Sequence, residues 1–192
     1  MVYSKGIKEM MDSRNKLKMM IVTALFAAII GIMAQLTIPL PLVPITGQTL
    51  AVGLAATILG SRYGTISVLV YLAMGAVGMP VFSGMSSGLG VIFGPTGGFL
   101  IGFIPTAFIT GYYMERTSFK LPNAIIANIL GMFVALAFGT VWLKFIAELS
   151  WTAAIMAGFV PFLIGGFIKA FLAAWAGIMV RGRLLANRLL LA

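Results

Sequence analysis

Six apolar runs, parted by short segments that hold most of the charge, constrain this chain more than any other feature of it. They fall at about 19–38, 47–60, 64–79, 97–115, 122–146 and 158–180. A helix needs about 20 predominantly apolar residues to cross a hydrocarbon core of about 30 Å, where no water is present to satisfy its backbone. The first run stops where Pro39, Pro41 and Pro44 withdraw amide donors and block a helix. Hydrophobic residues make up 61% of the 192 positions and charged residues 9%, against about 45–50% and about 25% in soluble domains. The expected fold is an all-α integral membrane bundle of six transmembrane helices.

The net charge of +9 is distributed as such a bundle requires. Lys5, Lys8, Arg14, Lys16 and Lys18 precede the first run; Arg62, Arg116, Lys120, Arg181, Arg183 and Arg188 follow the second, fourth and sixth. Segments 39–47, 79–97 and 147–157 contain no Lys or Arg. Basic loops mark the cytoplasmic side, so both termini are expected to be cytoplasmic. The chain divides accordingly into a basic segment 1–18, a membrane domain 19–184 and a tail 185–192. Basic stripes with interleaved aromatics are absent, which argues against a nucleic-acid partner; membrane lipid is the expected surroundings. The second and third runs are short, so neighbouring loops are expected at membrane depth, where backbone persists only in protein or against a cavity. Proline-rich 39–47 and glycine-rich 78–98 lie on one side, and a cavity is expected there.

Few kinds of chemistry remain. The chain has no Cys and no His, so thiolate sites and histidine bases drop out. Glu9, Asp12 and Glu115 lie at cytoplasmic ends, where solvation accounts for them, and Glu148 stands alone. Neither a carboxylate pair nor a Ser–His–Asp set can be assembled. No phosphate-cradling G-x-x-x-x-G-K-[ST] loop is present, so ATP-driven transport would need another subunit to hydrolyse the nucleotide. An enzyme is not expected, nor a cofactor or metal. Lys144 and Glu148, four residues apart, read as an interfacial pair with the lysine stem snorkelling.

Lys169 stands out within "VPFLIGGFIKAFLAAW" (160–175). A lysine at mid-helix costs about 2.5–3.5 kcal/mol on insertion scales. No acid lies within a turn, so its partner is a carbonyl, a water-filled cavity or an anion. The functional reading is an anchor for a ligand carboxylate, and the structural one a packing lysine held by carbonyls. "GPTGG" (94–98) fits a turn into a helix N-terminus. Ala24 and Ala28, one turn apart on the first helix, let another helix approach closely.

"PLVPITGQTLAV" (41–52), "GSRYGTISVLVYLAMGAVGMPVFSG" (60–84), "GLGVIFGPTGGFLIGF" (88–103) and "PFLIGGFIKA" (161–170) follow one another as in the BioY family. The chain resembles these biotin-specific substrate-binding (S) components of energy-coupling factor (ECF) transporters from about residue 17 onward. The resemblance implies a six-helix S component in a prokaryotic cytoplasmic membrane, binding biotin from the outer side. It also implies docking on a transmembrane coupling protein served by two cytoplasmic ATPases, through an A-x-x-x-A motif matched by Ala24 and Ala28. Lys169 matches the family lysine. The family aspartate three residues earlier is Gly166 here. Gln48, Asn128, Ser83, Ser86 and Ser87 are candidates to read the ureido head in its place, with Phe82, Phe93, Phe99 and Trp142 as cavity walls. The alternative is an S component or stand-alone facilitator for another small carboxylate vitamin or a biotin relative.

Overall fold

The computed structural model describes residues 2–187, 189 and 190, with side chains from residue 15 onward. Met1, Arg188, Leu191 and Ala192, at the ends of the expected terminal segments, lie outside the described residues. Helix α1 (Val2–Ala34) leads to a minimal antiparallel pair, β1 (Thr37–Ile38) and β2 (Ile45–Thr46). Helix α2 (Gln48–Ala76), a 3-10 turn (Ser83–Met85) and the short α3 (Leu89–Ile92) follow. Then come α4 (Gly97–Arg116), α5 (Leu121–Ile146), α6 (Trp151–Gly158) and α7 (Val160–Ala186). Among the described residues, five helical stretches are long and apolar enough to cross a membrane: 15–34, 48–76, 97–116, 121–146 and 151–186.

The second and third expected spans both lie in α2, and the backbone of Gly60 decides how they are related. Its φ of 80° and ψ of −173° are far from helical. Residues placed evenly on either side of it meet. A Cβ at Gly64 would stand 2.9 Å from the Ala56 Cα, and the Gln48 amide donates to the Tyr71 hydroxyl. In an unbroken helix Gln48 and Tyr71 would be about 35 Å apart. The helix therefore reverses at one residue into two antiparallel arms, with no connecting loop at 60–64. Glycine alone adopts such a conformation freely.

Side chains from two other helices tie this reversal down. The Ser61 amide and hydroxyl both donate to the Glu115 carboxylate, each at 2.7 Å. The Arg181 guanidinium donates to the Ile58 carbonyl and lies 3.6 Å from the centre of the Phe119 ring. Glu115, expected to be merely solvated, instead caps the second arm.

At the opposite end, segment 77–96 crosses over the arms. Gln35, just past α1, donates to the Gly31 and Phe82 carbonyls (3.1 and 3.0 Å) and accepts from the Met85 amide at 2.9 Å. The Trp142 indole donates to the Gly94 carbonyl at 3.0 Å. Phe82 is thereby buried edge-to-face on Tyr71, with ring centres 5.5 Å apart. Helix α1 ends earlier than expected because the Thr37 hydroxyl takes the Ala34 carbonyl at 2.9 Å and the strand pair follows. The unforeseen α6 is capped by the Ser150 hydroxyl, which accepts from the Ala153 amide at 3.2 Å. Met20, Leu25, Ile164, Phe171 and Trp175 are exposed, as side chains that face lipid should be.

Replacing Gly60 by Ala forces a Cβ to within 2.3 Å of the Glu115 Oε1 and strains a backbone that only glycine accepts. Backbone strain alone is worth about 1–3 kcal/mol. Gly60→Ala is expected to lower the unfolding temperature in detergent by several degrees, and an unchanged temperature would refute the reversal as drawn.

Candidate ligand-binding cavity

Between α2, α4, α5 and α7, under segment 77–96, lies a cavity of about 170 Å³. Lys169 borders it. Its ammonium donates to the Thr46 carbonyl at 3.0 Å, at the junction of β2 and α2. An ammonium carries three donors, so two remain after this bond. Neither Glu115 nor Glu148 lines the cavity. The lysine is thus carbonyl-anchored, as the structural reading had it, and also borders a chamber.

Asn128, on α5, is fixed by both of its donors. Its side-chain amide gives one hydrogen bond to the Thr57 hydroxyl (2.9 Å) and one to the Ala124 carbonyl (2.8 Å). The Oδ1 is left as an acceptor. Gly53 makes room for it, since a Cβ there would stand 2.3 Å from Oδ1 and 3.0 Å from the Ala173 Cβ. Ala173 lies one turn past Lys169 on α7.

Gln48 borders the cavity but is engaged. It accepts from the Thr46 hydroxyl at 2.8 Å and donates to Tyr71. Ser83 and Ser86 line the loop-covered end, where the Ser83 hydroxyl meets that of Thr37 at 3.1 Å and the Ser86 hydroxyl donates to the Ser83 carbonyl at 2.7 Å. Ser87 is not among the lining residues. The backbone at Ser86 is extended (φ −80°, ψ 163°), and successive side chains of extended chain point to opposite sides.

Gly166 faces the cavity, and Met132 fills the space beside it. A Cβ at 166 would come 2.5 Å from the Met132 sulfur. An aspartate could be seated there only by moving that thioether.

Of the expected wall residues, Phe82 and Phe99 line the cavity. Phe93 does not; it is 62% exposed at the end of α3. Trp142 anchors Gly94 from outside. Phe103 and Phe162 are walls that the sequence reading missed, Phe162 stacking on Phe99 at 5.6 Å. Also missed are Thr106 and Thr110, whose hydroxyls donate to the Gly131 and Ala127 carbonyls at 3.1 and 3.2 Å. Their four-residue spacing on one face of α4 was the available signal. Lys144 places its ammonium over the Phe145 and Trp151 rings, at 4.8 and 5.1 Å, in place of the expected partner Glu148.

Residues 8–186 match the model of the BioY family. The chain belongs to the BioY family. It is 43% identical over 164 residues to the biotin transporter BioY2 of Lactococcus lactis subsp. cremoris, covering 85% of this chain and 90% of that one. Identity to the biotin transporter BioY of Thermotoga maritima is 36% over 165 residues, covering 86% and 96%. Its fold is similar to the crystal structure of the S-component for biotin from an ECF-type ABC transporter. The TM-score is 0.82 at 30% identity, over 88% of this chain and 93% of that one. The BioY fold accounts for the all-α membrane bundle, and the cavity lies within it.

Gly53 and Asn128 form a steric pair whose coupling is measurable. Gly53→Ala is expected to lower the unfolding temperature, while the double variant Gly53→Ala/Asn128→Ala loses less than the sum of the two singles. Strict additivity would place the Asn128 side chain elsewhere.

Proposed function

We propose that this chain captures biotin at the outer face of a prokaryotic cytoplasmic membrane and delivers it inward as the S component of an ECF-type transporter. The observation that carries the reading is the Lys169 ammonium, set in the wall of a mostly apolar chamber that, among the described residues, no carboxylate lines. A monocarboxylate ligand supplies the missing charge, and the contact is strengthened by low local dielectric. Phe82, Phe99, Phe103 and Phe162 offer apolar surface to the fused rings. The ureido N–H groups are donors and need an acceptor. Asn128 Oδ1 provides one where the family aspartate is replaced by Gly166.

No covalent step is required, and the protein is a transporter rather than an enzyme. Movement inward needs partners, because the chain has no ATP-binding loop. Ala24 and Ala28 are both exposed on α1, with Met20, Ile21 and Leu25 beside them. Such a flat strip of small residues suits close helix approach and is the proposed docking face for the coupling protein and its two ATPases. The antiparallel arms of α2 support six crossings, with the basic loops and both termini on the cytoplasmic side. Gly166 favours a second reading, a biotin relative with an altered ureido head, and parallel titration with biotin and such relatives decides between them.

Labelled biotin titrated against detergent-purified protein tests the assignment. Lys169→Met is expected to weaken binding at least about tenfold, the worth of a hydrogen bond to a charged group. Wild-type affinity in that variant would remove the carboxylate role, and absent binding by folded wild type would end the biotin assignment. Ala24→Trp is expected to leave biotin binding intact while abolishing uptake; normal uptake would exclude that face from docking.

A further inference from the structure

Thr49 has no place in the reading so far: the residue lines the cavity, and its buried hydroxyl has no hydrogen-bond partner. Among the described residues, three buried side-chain atoms lack a hydrogen-bond partner: Thr49 Oγ1, Thr140 Oγ1 and Arg181 Nε. Of these residues only Thr49 lines the cavity. Thr140 packs near Gly158, and Arg181 belongs to the tie at the α2 reversal. Buried hydroxyls normally find a partner, and one that does not calls for an explanation.

Its surroundings supply one. Thr49 stands in the first turn of α2, three residues after Thr46, whose carbonyl holds the Lys169 ammonium. The neighbouring Gln48 side chain is spent on Thr46 and Tyr71. Gly47 gives this helix end no side-chain cap, and the first amide to bond back to Gly47 is that of Ala51. What this wall has to offer is therefore donors: two N–H groups of Lys169 and the O–H of Thr49. A carboxylate has two oxygens and accepts at both.

We infer that Thr49 is the neutral half of the carboxylate site: its hydroxyl donates to one ligand oxygen while Lys169 takes the other. The inference rests on the proposed function above and adds a specificity-determining residue to it. Lysine recognises charge, and the hydroxyl recognises an oxygen in a fixed place. Together they separate a free acid from its neutral ester. A site built to hydrogen-bond its ligand rejects analogues that leave its polar groups unpaired.

Three proteins and two ligands test this. Wild type, Thr49→Val and Thr49→Ser are purified in detergent, and their affinities for biotin and biotin methyl ester are measured, with the unfolding temperature of each protein alone. Valine keeps the shape and removes the orphan hydroxyl. Thr49→Val is therefore expected to unfold at the wild-type temperature or higher, yet to bind biotin about five- to tenfold more weakly. The ester keeps a neutral carbonyl oxygen as acceptor, so its loss should be clearly smaller than that of biotin, and Thr49→Ser should retain biotin binding. Wild-type affinity for biotin in Thr49→Val overturns the inference, as does an equal loss for both ligands. A fall in unfolding temperature in Thr49→Val would make the hydroxyl structural and overturn it too. The outcomes separate this inference from the reading beneath it. Failure of wild type to bind biotin sinks both; a Lys169→Met effect without a Thr49→Val effect sinks this one alone.

Discussion

The bond from the Lys169 ammonium to the Thr46 carbonyl organises the loop-covered half of the molecule. It crosses from α7 to the β2–α2 junction and supplies a cation in the membrane interior with a fixed acceptor. A carbonyl dipole offsets only part of the cost of such a charge. The remaining donors stay directed at a chamber instead of being absorbed by the bundle. The two-stranded pair beside it has the same origin: a non-helical segment at this depth must satisfy its own backbone, and Thr37–Ile38 and Ile45–Thr46 do so by pairing with each other.

The opposite half is organised by the reversal at Gly60. A turn of one residue leaves helix ends with unmet amides and carbonyls. Glu115 and Arg181 meet them from α4 and α7. At these two residues and at Lys169 charge meets backbone inside the bundle, one cluster at each end. Between them the contacts are apolar, with threonine and asparagine bonds holding α2, α4 and α5 together. Helix α7 takes part at both ends and so links the chamber to the basic face.

Much of this was legible in the sequence, for a physical reason. Runs such as 97–115 and 122–146 are long enough that only a spanning helix satisfies their backbone, and α4 and α5 follow them closely. The short runs 47–60 and 64–79 pointed to two arms, although not to a reversal at a single glycine. Lys169 was conspicuous because a cation in an apolar run has few explanations. Thr49 was not, because a threonine in a spanning helix ordinarily bonds the carbonyl one turn back, as Thr23 does with Met19 at 2.6 Å. Ser87 and Phe93 went astray because 78–98 has no periodicity from which a side chain's direction could be read. Helix α6 was hidden by its length, eight residues under a serine cap.

Side chains from outside the segment moor it over the chamber: Gln35 at Phe82 and Met85, Thr37 at Ser83, and Trp142 at Gly94. The stretch between those moorings cannot swing aside as a flap hinged at one point. It either bulges with its tethers intact or lifts after one has parted. If biotin occupies the chamber as proposed, its dwell time is set by these hydrogen-bonded clasps at the rim, while the depth of the well beneath contributes affinity.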